Sequence, residues 1–335
     1  MRMWDHTIFC LFVCLTLLAG VVHGAELTIE QLDAKGRGIS LYNQYKAKSA
    51  SPYLQIAADA GDPEAQFYLG EAIRRSNRFM TREAQQWLES AANQGHIYAM
   101  IRLSRSGANL CAVAGSCPQG SRTPREWWQQ AHDLTLPRAE EGYPDALFLM
   151  YELTGNVQWR IKAAEAGHAQ AQYLHAGFVN EGLGFYWLAS SRRNEVERLY
   201  KASAEGGYPP GMEHHAGILR QKGDIPGSNH WLRKAARTGH ASSIFGYAWT
   251  YIERYQELDN EDDLTKAYGL ISLLLELDGG GSPNQGFAQR RLDELEEQYQ
   301  ITPEQVARAQ AFAEEWKASH PPLSFFPEIL HPFDN

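Results

Sequence analysis

Small and apolar residues recur along the chain in one phrase. AADAGDPEA at Ala57, AANQGHIYA at Ala91, AAEAGHAQA at Ala163 and AARTGHASS at Ala235 are its clear copies; RAEEGYPDA at Arg138 and SAEGGYPPG at Ser203 are weaker ones. Aligned, they put Gly61, Gly95, Gly142, Gly167, Gly207 and Gly239 in register, 25 to 47 residues apart. A period of about 35 residues signals a stacked repeat rather than a domain with one central core. Eight residues before each Gly stands a large apolar side chain: Tyr53, Trp87, Leu134, Trp159, Leu199 and Trp231. Four residues after it stands a small one: Ala65, Ala99, Ala146, Ala171, Gly211 and Ser243. The large residue and the following Ala pair lie about one helical turn apart and share a face. The Gly can take the left-handed conformation that ends that helix, and the small residue then lets the next helix approach closely.

Each unit therefore reads as helix, tight turn, helix. An antiparallel pair cannot bury its apolar stripe alone, so successive pairs must stack. The expected fold is an all-α solenoid, with Trp87, Trp159 and Trp231 filling the space between units. Truncating one of these to Ala is then expected to cost about 3–5 kcal/mol.

These aromatic, Ala-Ala, Gly and Ala sets resemble the Sel-one-like repeat family, a relative of the tetratricopeptide repeats. WLESAANQGHIYA and WLRKAARTGHASS carry the resemblance best, whereas the copies at Gly142 and Gly207 lack the full Ala pair and the Trp. The resemblance covers residues 51–255 and extends to Trp316 through LTKAYGLISLLLEL and ITPEQVARAQAFAEEW, which look like degenerate last units. It implies a right-handed superhelix that binds another protein and has no catalytic role.

The ends give the rest of the plan. Residues 25–50 are expected to form a capping helix, opened by a Thr28-Ile29-Glu30-Gln31 capping box and running to Tyr45. Ser51-Pro52 is expected to start the first repeat helix, with Pro at its first position. Residues 104–124 form an insertion, and residues 256–318 hold the degenerate units, with Gly279-Gly280-Gly281 as a linker between helices. Thr302-Pro303-Glu304-Gln305 opens the last helix. Residues 319–335 are a Pro- and Phe-rich tail, expected to lie extended across the final helices and hide their apolar face. A docking role for Phe325 and Phe326 is the sharper alternative.

Export follows from the beginning of the chain. Arg2 precedes Ile8 to Val22, 15 residues without a charge, which suits a signal peptide better than a membrane span. Residues 1–24 are the expected signal peptide, and the periplasm is the expected compartment. No Cys stands at Val21, where a lipoprotein signal would need one, so the mature chain is expected to be soluble. Export would leave Cys111 and Cys117 as the remaining thiols, and in an oxidising compartment they read as a disulfide. So small a loop contributes about 2 kcal/mol.

Charge and chemistry narrow the function. The formal net charge is −9, which argues against nucleic acid and suits a basic protein partner. His96, His168 and His240 each follow a repeat Gly and read as turn residues. His214-His215 are out of register and point roughly 100° apart on a helix, which disfavours a shared ion. No zinc, nucleophile-elbow, phosphate-loop or dinucleotide motif is present, so no metal, cofactor or catalytic residue is assigned. The stretch from Glu257 to Asp263 is the most charged, and it reads as a solvated loop between helices. If a basic partner docks by charge, Asp259, Glu261, Asp262 and Asp263 are the first candidates.

In overall organisation (signal peptide, Sel-one-like units, proline-rich aromatic end) the chain is similar to immunity proteins that neutralise phospholipase toxins of type VI secretion. That resemblance implies a secreted phospholipase as the partner. An envelope scaffold or regulator is the alternative, and a penicillin-binding or hydrolytic member of the family is a remote third.

Overall fold

The computed structural model describes residues 26–105, 122–327 and 329–330. The expected signal peptide and the Cys111–Cys117 pair lie outside the described residues. Sixteen α-helices and one 3-10 turn are present among those residues, with a single bridge, between His240 and Ser324, and no strand.

Helix α1 (Ile29–Asn43) caps the stack. Six antiparallel pairs follow: α2 (Ala47–Asp59) with α3 (Pro63–Asn77), α4 (Arg82–Asn93) with α5 (Ile97–Arg105), and α6 (Pro124–Glu140) with α7 (Pro144–Thr154). Then come α8 (Val157–Glu165) with α9 (Ala169–Asn180), α10 (Ala189–Glu205) with α11 (Pro209–Gln221), and α12 (Ile225–Ala236) with α13 (Ala241–Leu258). Helix α14 (Glu261–Leu273), a 3-10 turn (Leu274–Glu276), α15 (Gln285–Tyr299) and α16 (Pro303–Ser319) complete the chain. Through α14 each helix packs chiefly on its neighbours in sequence, whereas α16 packs on α14 rather than on α15. The architecture is the expected all-α solenoid of stacked helix pairs.

The six repeat glycines end the first helix of each pair at φ 83 to 94, a backbone region that L side chains avoid. In the first five turns the residue after the Gly donates to the carbonyl five positions back, as His96 N does to Ala91 O at 3.1 Å. That pattern is the Schellman cap. Close approach then explains the small residue in the second helix. A Cβ on Gly211 would lie 2.2 Å from Ser203 Oγ, so a Ser in place of an Ala is matched by a Gly opposite.

In the first two pairs the buried stripe is offset by one residue from the expected one, whereas Leu199, eight residues before Gly207, is buried as expected. In α2 it consists of Ala50, Leu54, Ala57 and Ala58, and in α4 of Ala84, Leu88, Ala91 and Ala92. This i, i+4, i+7, i+8 set faces inward, and its large member stands seven residues before the Gly. Trp87, Trp159 and Trp231, eight before it, lie on the flank of the stripe and are half-buried. Lys162 Nζ sits 4.9 Å from the Trp159 ring and Lys234 Nζ 4.6 Å from that of Trp231. The wedge role expected of the Trp belongs to Leu54 and Leu88, both 0% exposed.

Two boundaries also differ from expectation. Helix α2 begins at Ala47, leaving Pro52 inside the helix on an exposed side; burial of the stripe outweighs the one backbone bond that Pro removes. Helix α1 ends at Asn43 because Tyr45 takes φ 61. Gly38, a weak spot by helix propensity, allows contact instead: a Cβ there would meet Leu54 Cγ at 2.6 Å.

Buried charge is concentrated in the early pairs. Glu71, 0% exposed, sits between Arg74 and Arg102, with Arg74 Nη2 3.0 Å from Oε2 and Arg102 Nε 2.9 Å from Oε1. The apolar interior is thinnest at α10 to α12, where only small clusters form around Tyr200 and Trp231.

Candidate functional site

The two ends of the solenoid meet, and the tail is laid between them. Lys46 Nζ pairs with Asp278 Oδ1 at 2.9 Å, which holds the Asp278 carboxyl below its ordinary range. A cleft of about 400 Å³ opens at this seam, with Lys46, Lys48, Arg75 and Asp278 among its walls. Gly279 lies so near the α1–α2 turn that a Cβ would stand 2.6 Å from Gln44 O. The three-glycine segment is therefore a contact strip as well as a linker.

The tail crosses the turn of the sixth pair. Ser324 N donates to Gly239 O at 2.9 Å and Ala241 N donates to Ser324 O at 3.0 Å. Phe325 N donates to Asn43 O at 3.1 Å, and Gln44 Nε2 donates to Leu323 O at 2.9 Å. The Phe325 ring stacks on Tyr45 at 4.9 Å, and Phe326 meets the His240 ring edge to face at 5.7 Å. Farther on, Arg105 Nη1 lies 3.4 Å from Leu330 O, and Leu330 is buried in the core cluster that runs from Phe67 in the first pair to Ala171 in the fourth. The tail thus does more than cover the final helices: it joins the last repeat turn, the N-terminal turn and the middle pairs.

Two of the register histidines cap their second helices with the side chain, whereas His240 Nδ1 lies 2.8 Å from Ser243 Oγ instead. His168 Nδ1 accepts from Ala171 N at 3.1 Å and His96 Nδ1 from Ala99 N at 3.3 Å; Asp62 does the same for Ala65 at 2.7 Å. His96 stacks on Phe67 at 4.7 Å and His168 on Phe148 at 4.4 Å. Burial pushes the His96 imidazole down to about 4, although Glu64 and Asp62 pull the other way. His168 and His240 are lowered by the same cause. At His240 the place of the neighbouring aromatic is taken by Glu213, 3.6 Å away. His214 stacks on Tyr200 at 4.8 Å, while His215 is buried beside Trp231.

The acidic stretch is not the solvated loop it resembles in sequence. Asp259 is the left-handed C-cap of α13, Asn260 is the N-cap of α14, and Glu261, Asp262 and Asp263 form the first turn of α14. Carboxylates suit that end of a helix dipole. Asp263 is 1% exposed and 3.2 Å from Arg254 Nη2, so it is a structural residue and not a docking one. Asp259, Glu261 and Asp262 remain exposed.

Two features escaped the sequence reading. Arg160 occupies the inward position held by Leu54 and Leu88 in the first two pairs and is 2% exposed. Its guanidinium lies 3.9 Å over the Phe178 ring, with Nε and Nη2 unbonded. Only alignment on the position seven before the Gly, rather than eight, would have exposed it. The second is the segment Gly182 to Leu188, which turns Phe185 and Trp187 outward; its run of three aromatics directly after Gly182 and Gly184 was the available signal. Among the described residues no three His, Cys, Asp or Glu side chains gather as a metal site, and no helix is long and apolar enough to cross a membrane.

No protein-family profile and no curated protein matches the chain. Among solved structures, a protective antigen present in uropathogenic Escherichia coli strains and displaying an SLR fold is 18% identical, with a TM-score of 0.46. The match covers 87% of this chain and 62% of that one, so the chain spans less than two thirds of that antigen's length. A Sel1 repeat protein from Oxalobacter formigenes is 20% identical, covering 79% of this chain and 99% of that one, with a TM-score of 0.33. The assembly chaperone of RpL4 is 13% identical, covering 82% and 100%, with a TM-score of 0.28. Scores this low carry no argument about function, and the fold of this chain rests on its own repeat geometry.

Proposed function

We propose that this chain is a Sel-one-like repeat protein that acts by holding an extended segment of a protein partner. The observation that supports the reading is the docked tail. A repeat turn and the N-terminal turn already hold an extended peptide through four hydrogen bonds to its main chain, as in recognition by strand addition. Main-chain bonds give affinity without demanding a particular side chain, and the apolar contacts of Leu323 and Phe325 supply the preference. In this reading the protein works in the periplasm, and its partner is a secreted phospholipase that it neutralises.

The test is compartmental. Cells attacked by a type VI secreted phospholipase that the protein neutralises should survive when the protein is exported and die when residues 2–24 are deleted. The deleted form should still bind the purified enzyme. Equal protection by the unexported form would reject the periplasmic immunity reading.

A further inference from the structure

The segment joining α9 to α10 projects large apolar side chains into solvent. Phe185 is 79% exposed, Trp187 89% and Leu188 62%. Gly182 at φ 113 and Gly184 at φ 84 shape the turn. The Phe185 and Trp187 rings meet edge to face at 5.3 Å and touch little else. The base of the segment is tied down: Arg192 Nη2 donates to Gly184 O at 3.4 Å, and its guanidinium lies 5.4 Å from the Tyr186 ring. From Gly182 to Asn194 there is no carboxylate, while Arg192 and Arg193 stand in the first two turns of α10. In a chain of net charge −9, this is a local patch of opposite character.

Soluble proteins seldom leave such a cluster exposed without a use. An aromatic hot spot for a protein partner sits at the centre of a packed patch whose rim excludes water. Here the tip stands nearly clear of its own surface, so a rigid partner would need a pocket shaped to receive it. A lipid surface needs no pocket, because its headgroups close around whatever enters. Trp and other aromatic rings settle at the boundary of headgroup and acyl chain, and arginines beside them attract anionic headgroups.

We propose that residues 183–188 form a lipid-contact loop. Phe185, Trp187 and Leu188 enter the headgroup boundary of an anionic bilayer, and Arg192 and Arg193 lie at the level of its phosphates. This proposal stands independently of the partner reading above.

Co-sedimentation tests it, using phosphatidylglycerol–phosphatidylethanolamine vesicles and, separately, phosphatidylcholine vesicles. The wild-type protein should partition onto the anionic vesicles, less so as salt rises. The double variant Phe185→Ser, Trp187→Ser should lose about ten-fold or more of that binding while melting at the wild-type temperature, because both side chains are exposed. The double variant Arg192→Gln, Arg193→Gln should weaken binding to the anionic vesicles only. Because every variant keeps the same first 24 residues, any contribution of the apolar stretch at Ile8 to Val22 cancels. Absence of wild-type binding, or equal binding by the serine variant, overturns the proposal. So does a serine variant that loses a protein partner while still binding vesicles, since the loop would then be a protein contact.

Discussion

Replacing His96 by Asn should make the solenoid less sensitive to acid. The imidazole has an ordinary pKa of 6.5, and burial holds it at about 4 in the folded chain. The unfolded chain therefore binds the proton more readily throughout that interval. The contribution of neutral His96 is complete above about pH 6.5 and is lost as pH falls toward 4. A shift of this size corresponds to about 3 kcal/mol. The structural cause is specific: Nδ1 must stay unprotonated to accept from Ala99 N at 3.3 Å, and the ring is held against Phe67. Asn also caps helices well but does not titrate in this range. Urea denaturation followed by circular dichroism, at several pH values from 7.5 to 4, should show wild type losing about 3 kcal/mol more than His96→Asn. Loss of the ring stacking would displace the variant's profile by a constant and leave its slope unaffected. Parallel profiles would refute the assignment of His96 as a neutral, buried cap. His168 and His240 are shifted in the same direction, so the variant should retain some acid lability after His96 is replaced.

Arg160→Met should stabilise the chain by about 1 kcal/mol or more and so raise the urea midpoint, because it removes a buried guanidinium with two unbonded nitrogens; a lowered midpoint would show that the Phe178 contact outweighs the desolvation. Truncation after His320 should speed hydrogen exchange at the Ala241 amide, whose partner is Ser324 O, and loosen the α1–α2 turn. Unchanged exchange there would mean that the tail does not hold the two ends together. Asp263→Lys should destabilise by about 3 kcal/mol, since it buries a cation beside Arg254, whereas Asp259→Lys with Asp262→Lys should leave melting unchanged. If all three melt alike, the assignment of Asp263 as structural fails.

The repeat itself was legible because its turn chemistry is local. A Gly at positive φ and a small residue four positions later are fixed by the chain near them, so six copies reveal them. The inward stripe was harder to place. Positions seven and eight before the Gly are both apolar in most copies, and only packing decides that Leu88 is buried while Trp87 flanks it. The acidic stretch was misread because its helix begins at Glu261 with Asn260 as N-cap, a local signal masked by the density of charge. The meeting of Gln44 with Leu323, 279 residues apart, depends on how the stacked pairs curve, and no local pattern encodes it. Arg160 was hidden for the same reason as the stripe: one residue of register separates a surface cation from a buried one.

The proposal that this solenoid binds a secreted phospholipase is tested most directly by calorimetric titration with enzyme activity measured in parallel. Purified protein titrated into the cognate secreted phospholipase should give a saturable one-to-one complex whose formation abolishes lipid hydrolysis. Absence of binding heat, with hydrolysis unaffected by excess protein, would contradict it.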